Sequence, residues 1–288
     1  MKKLIKMLFI FVLVAILLYY ANEKYNLAEW VVEMGVASQH DSPEYFIGKV
    51  REAMLEGKER IVLTFVGKSH DLEWFTEEAI NMAYEIDDES TSSDFDYLKY
   101  NTESIAAHIV GLGNILTITY DFSYNETPAE TSAVDKKINS LFQKWKIEEL
   151  SDYEKIKKIH DFIVKNASYD TSLKKYSAYD NLITKTSTCQ GYMCLAYKML
   201  TEAGVPTRII SGTGGGESHG WNIVRLNGKW YNLDCTWDDP LTWNGEEVLL
   251  YDYFLKSEEE FGDHIRDKEY TTEAFYKKYK IAEKSYEK

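Results

Sequence analysis

TCQGYMCLAYKMLTEAGVPTRIISGTGGGESHGWNIVRLNGKWYNLDCTWDD, residues 188–239, decides the fold. It sets a cysteine where a helix should begin, a histidine where a strand should begin and an aspartate near the end of the next strand. Those are the residue types of a thiol nucleophile, its base and an orienting group. A helix is predicted from Cys189 to Ala203, with Tyr192, Leu195, Ala196, Met199, Leu200 and Ala203 on one face, Gly204 as its stop and Pro206 just beyond. With Thr188 or Ser187 as N-cap, Cys189 falls in the first turn, where free backbone N–H groups and the positive end of the helix dipole favour a thiolate. Cys194 stands five positions on, about 140° round the helix, and reads as a small buried hydrophobe.

After Pro206, TRIISG reads as a strand, and the glycine-rich GTGGGES (212–218) as a flexible loop that serves as a mobile flap. A phosphate cradle is excluded there, because a strand follows the glycines where a helix N-terminus is needed. HGWNIVRL (219–226), Asn227-Gly228 and KWYNLDC (229–235) are the signature of a β-hairpin with a two-residue type I′ turn. Pairing Leu226 with Lys229 sets Trp221 opposite Asp234 and His219 opposite Thr236, so His219, Trp221 and Ile223 share a face with Asp234, Asn232 and Trp230. His219 and Asp234 are then diagonal neighbours, roughly 7–8 Å apart at the backbone and within side-chain reach. Cys235 points to the other face, which argues against a metal site joining it to Cys189, Cys194 or His219. Trp221 and Trp237 flank the pair as core aromatics.

Upstream, SDYEKIKKIHDFIVKNASYD begins at Ser151 with a capping box to Glu154 and an apolar face of Ile156, Ile159 and Ile163. His160 on this helix reads as a packing residue, as do His40, His70, His108 and His264. Residues 60–146 read as a small α/β unit: IVLTFVG (61–67) a strand, DLEWFTEEAINMAYEIDD (71–88) a helix and NILTITYDFSY (114–124) a strand, with a helical stretch after Thr131. Residues 22–59 read as a helical connector, with a helix start at Ser42-Pro43. The acidic clusters 87–89 and 258–260 lack a glycine-centred calcium loop and read as solvated surface.

The formal charge of −14 argues against nucleic-acid backbones as partners. Three cysteines without C-x-x-C spacing make neither a disulfide framework nor a zinc module, and nothing in the spacing asks for a cofactor or metal. At the N-terminus, Lys2, Lys3 and Lys6 precede MLFIFVLVAILLYY, an apolar run of fourteen residues. From Leu4 to Ala21 a helix spans roughly 27 Å, enough to cross a bilayer with Lys6 reaching back to the headgroups. Leu18-Tyr19-Tyr20-Ala21 is a poor cleavage site, so residues 1–21 read as an uncleaved signal anchor, with cleavage and secretion the alternative. The lysines place that end in the cytoplasm and the rest of the chain outside, on a single-pass cell-membrane protein.

STCQGYMCLAYKML, SHGWNIVRLNGKWYNLDCTWDD and the preceding helix DYEKIKKIHDFIVKNASYD resemble the core of the transglutaminase-like superfamily, a branch of the papain-like fold. The resemblance covers about residues 150–256, and it is the combination of C-Q-G-Y, H-x-W-N and W-Y-x-x-D-x-T-W that is specific. It implies an α+β fold in which a helix carrying the cysteine packs on an antiparallel sheet, here residues 147–288, after the small α/β unit and the anchor. By the same resemblance Cys189 is the nucleophile, His219 the proton-transfer partner and Asp234 the orienting residue. Gly220 stands where many members carry alanine, a chemically neutral change. The gap of thirty residues from cysteine to histidine suits this compact branch, since papain-type spacing exceeds a hundred. The implied activity is attack on an amide of a protein or peptide, leaving a thioester that either an amine or water resolves. The other class of reading is a surface module of the same fold that binds a peptide or wall component without catalysis. The Cys189 N–H is one oxyanion donor; for the second, Gln190 and Tyr169 are candidates.

Overall fold

A computed structural model describes residues 38–40, 42–66, 72–112, 115–240 and 248–287. The expected anchor, residues 1–21, and His70 lie outside them; among the described residues no helix is long and apolar enough to cross a membrane.

The chain builds two sheets, each with its own core. In the first, β1 (Ser38–His40) runs parallel to β2 (Arg60–Val66), β2 is antiparallel to β4 (Ile115–Tyr124), and β4 is antiparallel to β3 (Thr102–Leu112), giving the order β1-β2-β4-β3. Alternation along β2 and β4 sends Leu63, Phe65, Ile118, Tyr120 and Phe122 to one face. That face is covered by α1 (Pro43–Leu55), where Ser42 caps the Tyr45 N–H and Pro43 opens the first turn. Beside it lies a π turn, Trp74–Glu78, that runs into α2 (Ala79–Glu85). Residues 43–55, expected within a connector, thus pack Phe46, Val50 and Met54 into the core of this sheet. The edge strand β3, absent from the sequence reading, presents Ile105, Ala107 and Ile109 to the same core.

A short helix, α3 (Asp96–Asn101), joins the two cores: Leu98 belongs to the first and Tyr97 to the second. Then come α4 (Pro128–Trp145) and α5 (Asp152–Asn166), each opened by a complete capping box, Thr127 with Glu130 and Ser151 with Glu154. The two-residue strands β5 (Ser168–Tyr169) and β6 (Thr186–Ser187) pair in parallel, Tyr169 against Ser187. They deliver the chain to α6 (Cys189–Glu202), in which every residue from Gly191 to Leu200 is buried. Each fully buried aliphatic side chain there contributes roughly 1.5–3 kcal/mol. Gly204, at φ +81, ends the helix.

α6 packs on the second sheet, order β10-β7-β8-β9, made of β7 (Thr207–Gly214), β8 (Glu217–Leu226), β9 (Lys229–Leu233) and β10 (His264–Arg266), all antiparallel. The hairpin has the expected register, Leu226 on Lys229 and Ile223 on Asn232, with the ladder ending at Asn222 and Leu233. GTGGGES is not a flap. Its first three residues continue β7, Gly215 and Gly216 make a tight turn at φ +59 and +91, and Glu217 opens β8. Alternation persists through glycines that carry no side chain to show it.

Candidate active site

Cys189 is the first residue of α6 and is partly exposed, whereas Cys194 and Cys235 are buried in the core around that helix. Burial pushes both of those thiols well above the ordinary range, so neither ionises. Thr188 occupies the N-cap position, but its hydroxyl makes no capping bond and is buried without a partner. Ser187 is engaged instead by the Asn181 side-chain amide at 2.9 Å. The N-terminus of α6 thus has no side-chain cap: Gly191 and Tyr192 donate to the Thr188 carbonyl at 3.0 and 3.4 Å, and the first N–H of the helix, that of Cys189 itself, stands beside the sulfur.

β8 starts with two exposed residues and then buries His219. Its Nε2 meets Asp234 Oδ2 at 2.7 Å, and Cys189 lies near enough to favour the charged form of the ring. The carboxylate takes one ring nitrogen, which leaves Nδ1 for the sulfur. The structure thus brings together the three residues singled out from sequence, Cys189, His219 and Asp234. Trp237 leans over the imidazole at 5.4 Å between ring centroids and Trp221 stacks on it at 6.2 Å. Gly214 comes close on a third side, where a Cβ would stand 2.9 Å from His219 Cδ2 and from Trp237 Cζ2. Gly220 is less neutral than expected, since a Cβ there would sit 2.3 Å from Met193 Sδ.

Asp234 follows the last residue of β9 and is almost fully buried. Burial favours its neutral form, but hydrogen bonds and charge from His219 and His264 outweigh that and hold the carboxyl far below its usual range. Its Oδ1 accepts the backbone N–H groups of Thr236 and Trp237 at 2.8 and 3.2 Å. Burial likewise opposes a charge on His219, yet the Asp234 hydrogen bond and charge, then Cys189, raise its pKa from 6.5 to about 10. The pair is arranged as an imidazolium beside a sulfur.

Two neighbours differ from expectation. His264, read as a packing residue, places Nε2 at 3.1 Å from Asp234 Oδ2. The side-chain ligand atoms of His219, Asp234 and His264 all lie within 4.8 Å of one another. His160, read as a packing residue, is fully buried and has a carboxylate partner: Nε2 lies 2.9 Å from Asp238 Oδ2, one turn after Asp234. Of the oxyanion candidates, Gln190 donates to the Tyr100 carbonyl at 2.9 Å and is committed there. Tyr169 lies close enough to Cys189 that, after burial, the sulfur's charge raises its hydroxyl pKa.

Residues 140–235, which carry all three site residues, match the model of the transglutaminase-like superfamily. The kyphoscoliosis peptidase of Mus musculus is 29% identical over 169 residues, 51% of this chain and 26% of that protein. The Homo sapiens kyphoscoliosis peptidase is 30% identical over 159 residues, 47% of this chain and 23% of that protein. The chain thus spans about a quarter of the length of these curated relatives. A solved structure described as that of a TGase aligns over 78% of this chain and 64% of its own, at 14% identity and a TM-score of 0.36. The segment that builds the Cys189, His219 and Asp234 cluster is thus similar to the transglutaminase-like superfamily.

Proposed function

We propose that this protein is a thiol-dependent acyl-transfer enzyme acting on amide groups of proteins or peptides. The observation that carries the reading is a sulfur at a helix N-terminus without a side-chain cap, beside an imidazole whose Nε2 a buried carboxylate meets at 2.7 Å. The superfamily match over residues 140–235 supports it.

In the first half-reaction the Cys189 sulfur attacks the amide carbon. His219 gives its proton to the departing nitrogen as the C–N bond breaks, and the acyl group stays on sulfur as a thioester. In the second, His219, now neutral, takes a proton from an amine or water that attacks the thioester, and the sulfur leaves as thiolate. The Cys189 backbone N–H is one donor to the oxyanion, and Tyr169, near that sulfur, is the candidate for the second. The N-terminal apolar run tethers this domain outside the cell membrane in the same reading.

The acceptor is decided by products. Full-length protein in detergent is incubated with a glutamine-rich protein, with and without a labelled primary amine, and the products are followed by mass spectrometry. Label on glutamine shows transamidation, and a gain of 1 Da at glutamine or chain cleavage shows hydrolysis. Substrate left unchanged by protein whose Cys189 is intact overturns the enzymatic reading in favour of a binding module.

A further inference from the structure

The two half-reactions leave without a role the buried histidine that shares Asp234 with His219. His264 opens β10, and its side chain is 1% exposed. Phe261, Trp237, Trp221 and Tyr253 box the ring, with centroids 3.9, 4.4, 4.9 and 5.5 Å away. For packing alone a phenylalanine would fill that box, and without a penalty: Nδ1 of His264 is buried and has no hydrogen-bond partner. What the histidine adds is at its other nitrogen. Nε2 reaches Asp234 Oδ2 at 3.1 Å, the oxygen that His219 Nε2 meets at 2.7 Å. A deprotonated carboxylate only accepts, so the His264 proton sits on Nε2 and donates. Together with Thr236 N–H and Trp237 N–H on Oδ1, both oxygens of Asp234 carry two donors each.

We propose that His264 is a positioning residue for the cysteine–histidine pair. It pins Asp234 Oδ2 from a second direction, which fixes the carboxylate plane and keeps the His219 ring aimed at the Cys189 sulfur. Without it that oxygen has one lateral restraint, and the imidazole it holds can swing away from the sulfur. The inference rests on the thiol chemistry proposed above, and a substrate-free readout separates the two.

The readout is alkylation of Cys189 by iodoacetamide in full-length protein, followed from pH 5 to 9 by peptide mass spectrometry, in wild type, His264→Phe and His264→Gln, with thermal melts as a check on folding. Wild-type Cys189 is expected to react at pH 6 faster than free cysteine. His264→Phe keeps the ring packing but has no donor; its rate at pH 6 is expected to fall about tenfold. His264→Gln packs less well but can donate from the same place, and its rate is expected within about threefold of wild type. A packing role predicts the reverse order. Wild-type behaviour in His264→Phe, or a slower His264→Gln than His264→Phe, would overturn the inference while leaving the thiol chemistry intact. If His264→Phe does not fold, His264→Met takes its place and the same ordering decides. A wild-type Cys189 no faster than free cysteine would instead remove the thiol chemistry, and this inference with it.

Discussion

At His219 two forces compete: burial would strip the imidazole of its proton, and Asp234 holds it on, carrying the pKa from 6.5 to about 10. Because this folded-state value is raised, the charged pair is complete at pH values below 6.5 and is lost as pH rises through about 10. Activity is therefore expected to persist through neutral pH and to fall on the alkaline side. Asp234→Asn keeps the shape but removes the charge, so burial dominates. The alkaline limb of kcat/KM should move down towards or below the ordinary imidazole range near 6.5, with a rate loss of about 10²–10⁴-fold. An unchanged limb in that variant would show that Asp234 does not set the proton affinity of His219. Cys189, His219 and Asp234 were legible in the sequence because each is placed by local geometry, a helix start or a hairpin register. His264 was not, since its partner stands thirty residues earlier and meets it only once β10 has docked on β7. Thr188 stands at the N-cap as read from the sequence, but its hydroxyl makes no capping bond, which residue type alone does not report.

The hairpin of β7 and β8 delivers His219, and its glycines matter for fit more than for motion. Gly215 and Gly216 supply the two positive-φ positions of the turn, and Gly214 lets His219 and Trp237 pack against bare backbone. Gly214→Ala would set a methyl 2.9 Å from both rings, too close for either to stay. Expected is a fall in Cys189 alkylation at pH 6 of about tenfold with the far-ultraviolet circular dichroism retained, as one displaced hydrogen bond in a charged pair implies. A wild-type rate would show that the imidazole does not depend on this contact. Element type was readable wherever side chains report the period, as in α5, α6 and β8. It failed where they do not: in GTG of β7, and in β3, where Ala106 and Ala107 dilute the alternation of Ile105 and Ile109.

Across the whole molecule the first sheet and the helices upstream do more than precede the segment that carries Cys189, His219 and Asp234. Asp96 at the start of α3 accepts from Arg208 at 2.7 and 3.1 Å and from the Ile209 N–H at 2.7 Å, which ties it to β7. Lys198, fully buried on α6, pairs with Asp135 of α4 at 2.8 Å, and Gln190 in the first turn of α6 is held by Tyr100 of α3. The helix that carries the sulfur is thus anchored at both ends by residues upstream of it. No sequence period reports such contacts, because their partners lie 63–113 positions apart. The two half-reactions proposed for this site and the supports beneath it converge on a single atom, the Cys189 sulfur. The most direct measurement treats full-length protein with a glutamine-shaped peptidyl chloromethyl ketone and maps the label by mass spectrometry in wild type and in Cys189→Ala, Cys194→Ala and Cys235→Ala. Label confined to Cys189, retained in the Cys194 and Cys235 variants and lost in Cys189→Ala, is the predicted result, and label that persists in Cys189→Ala would contradict it.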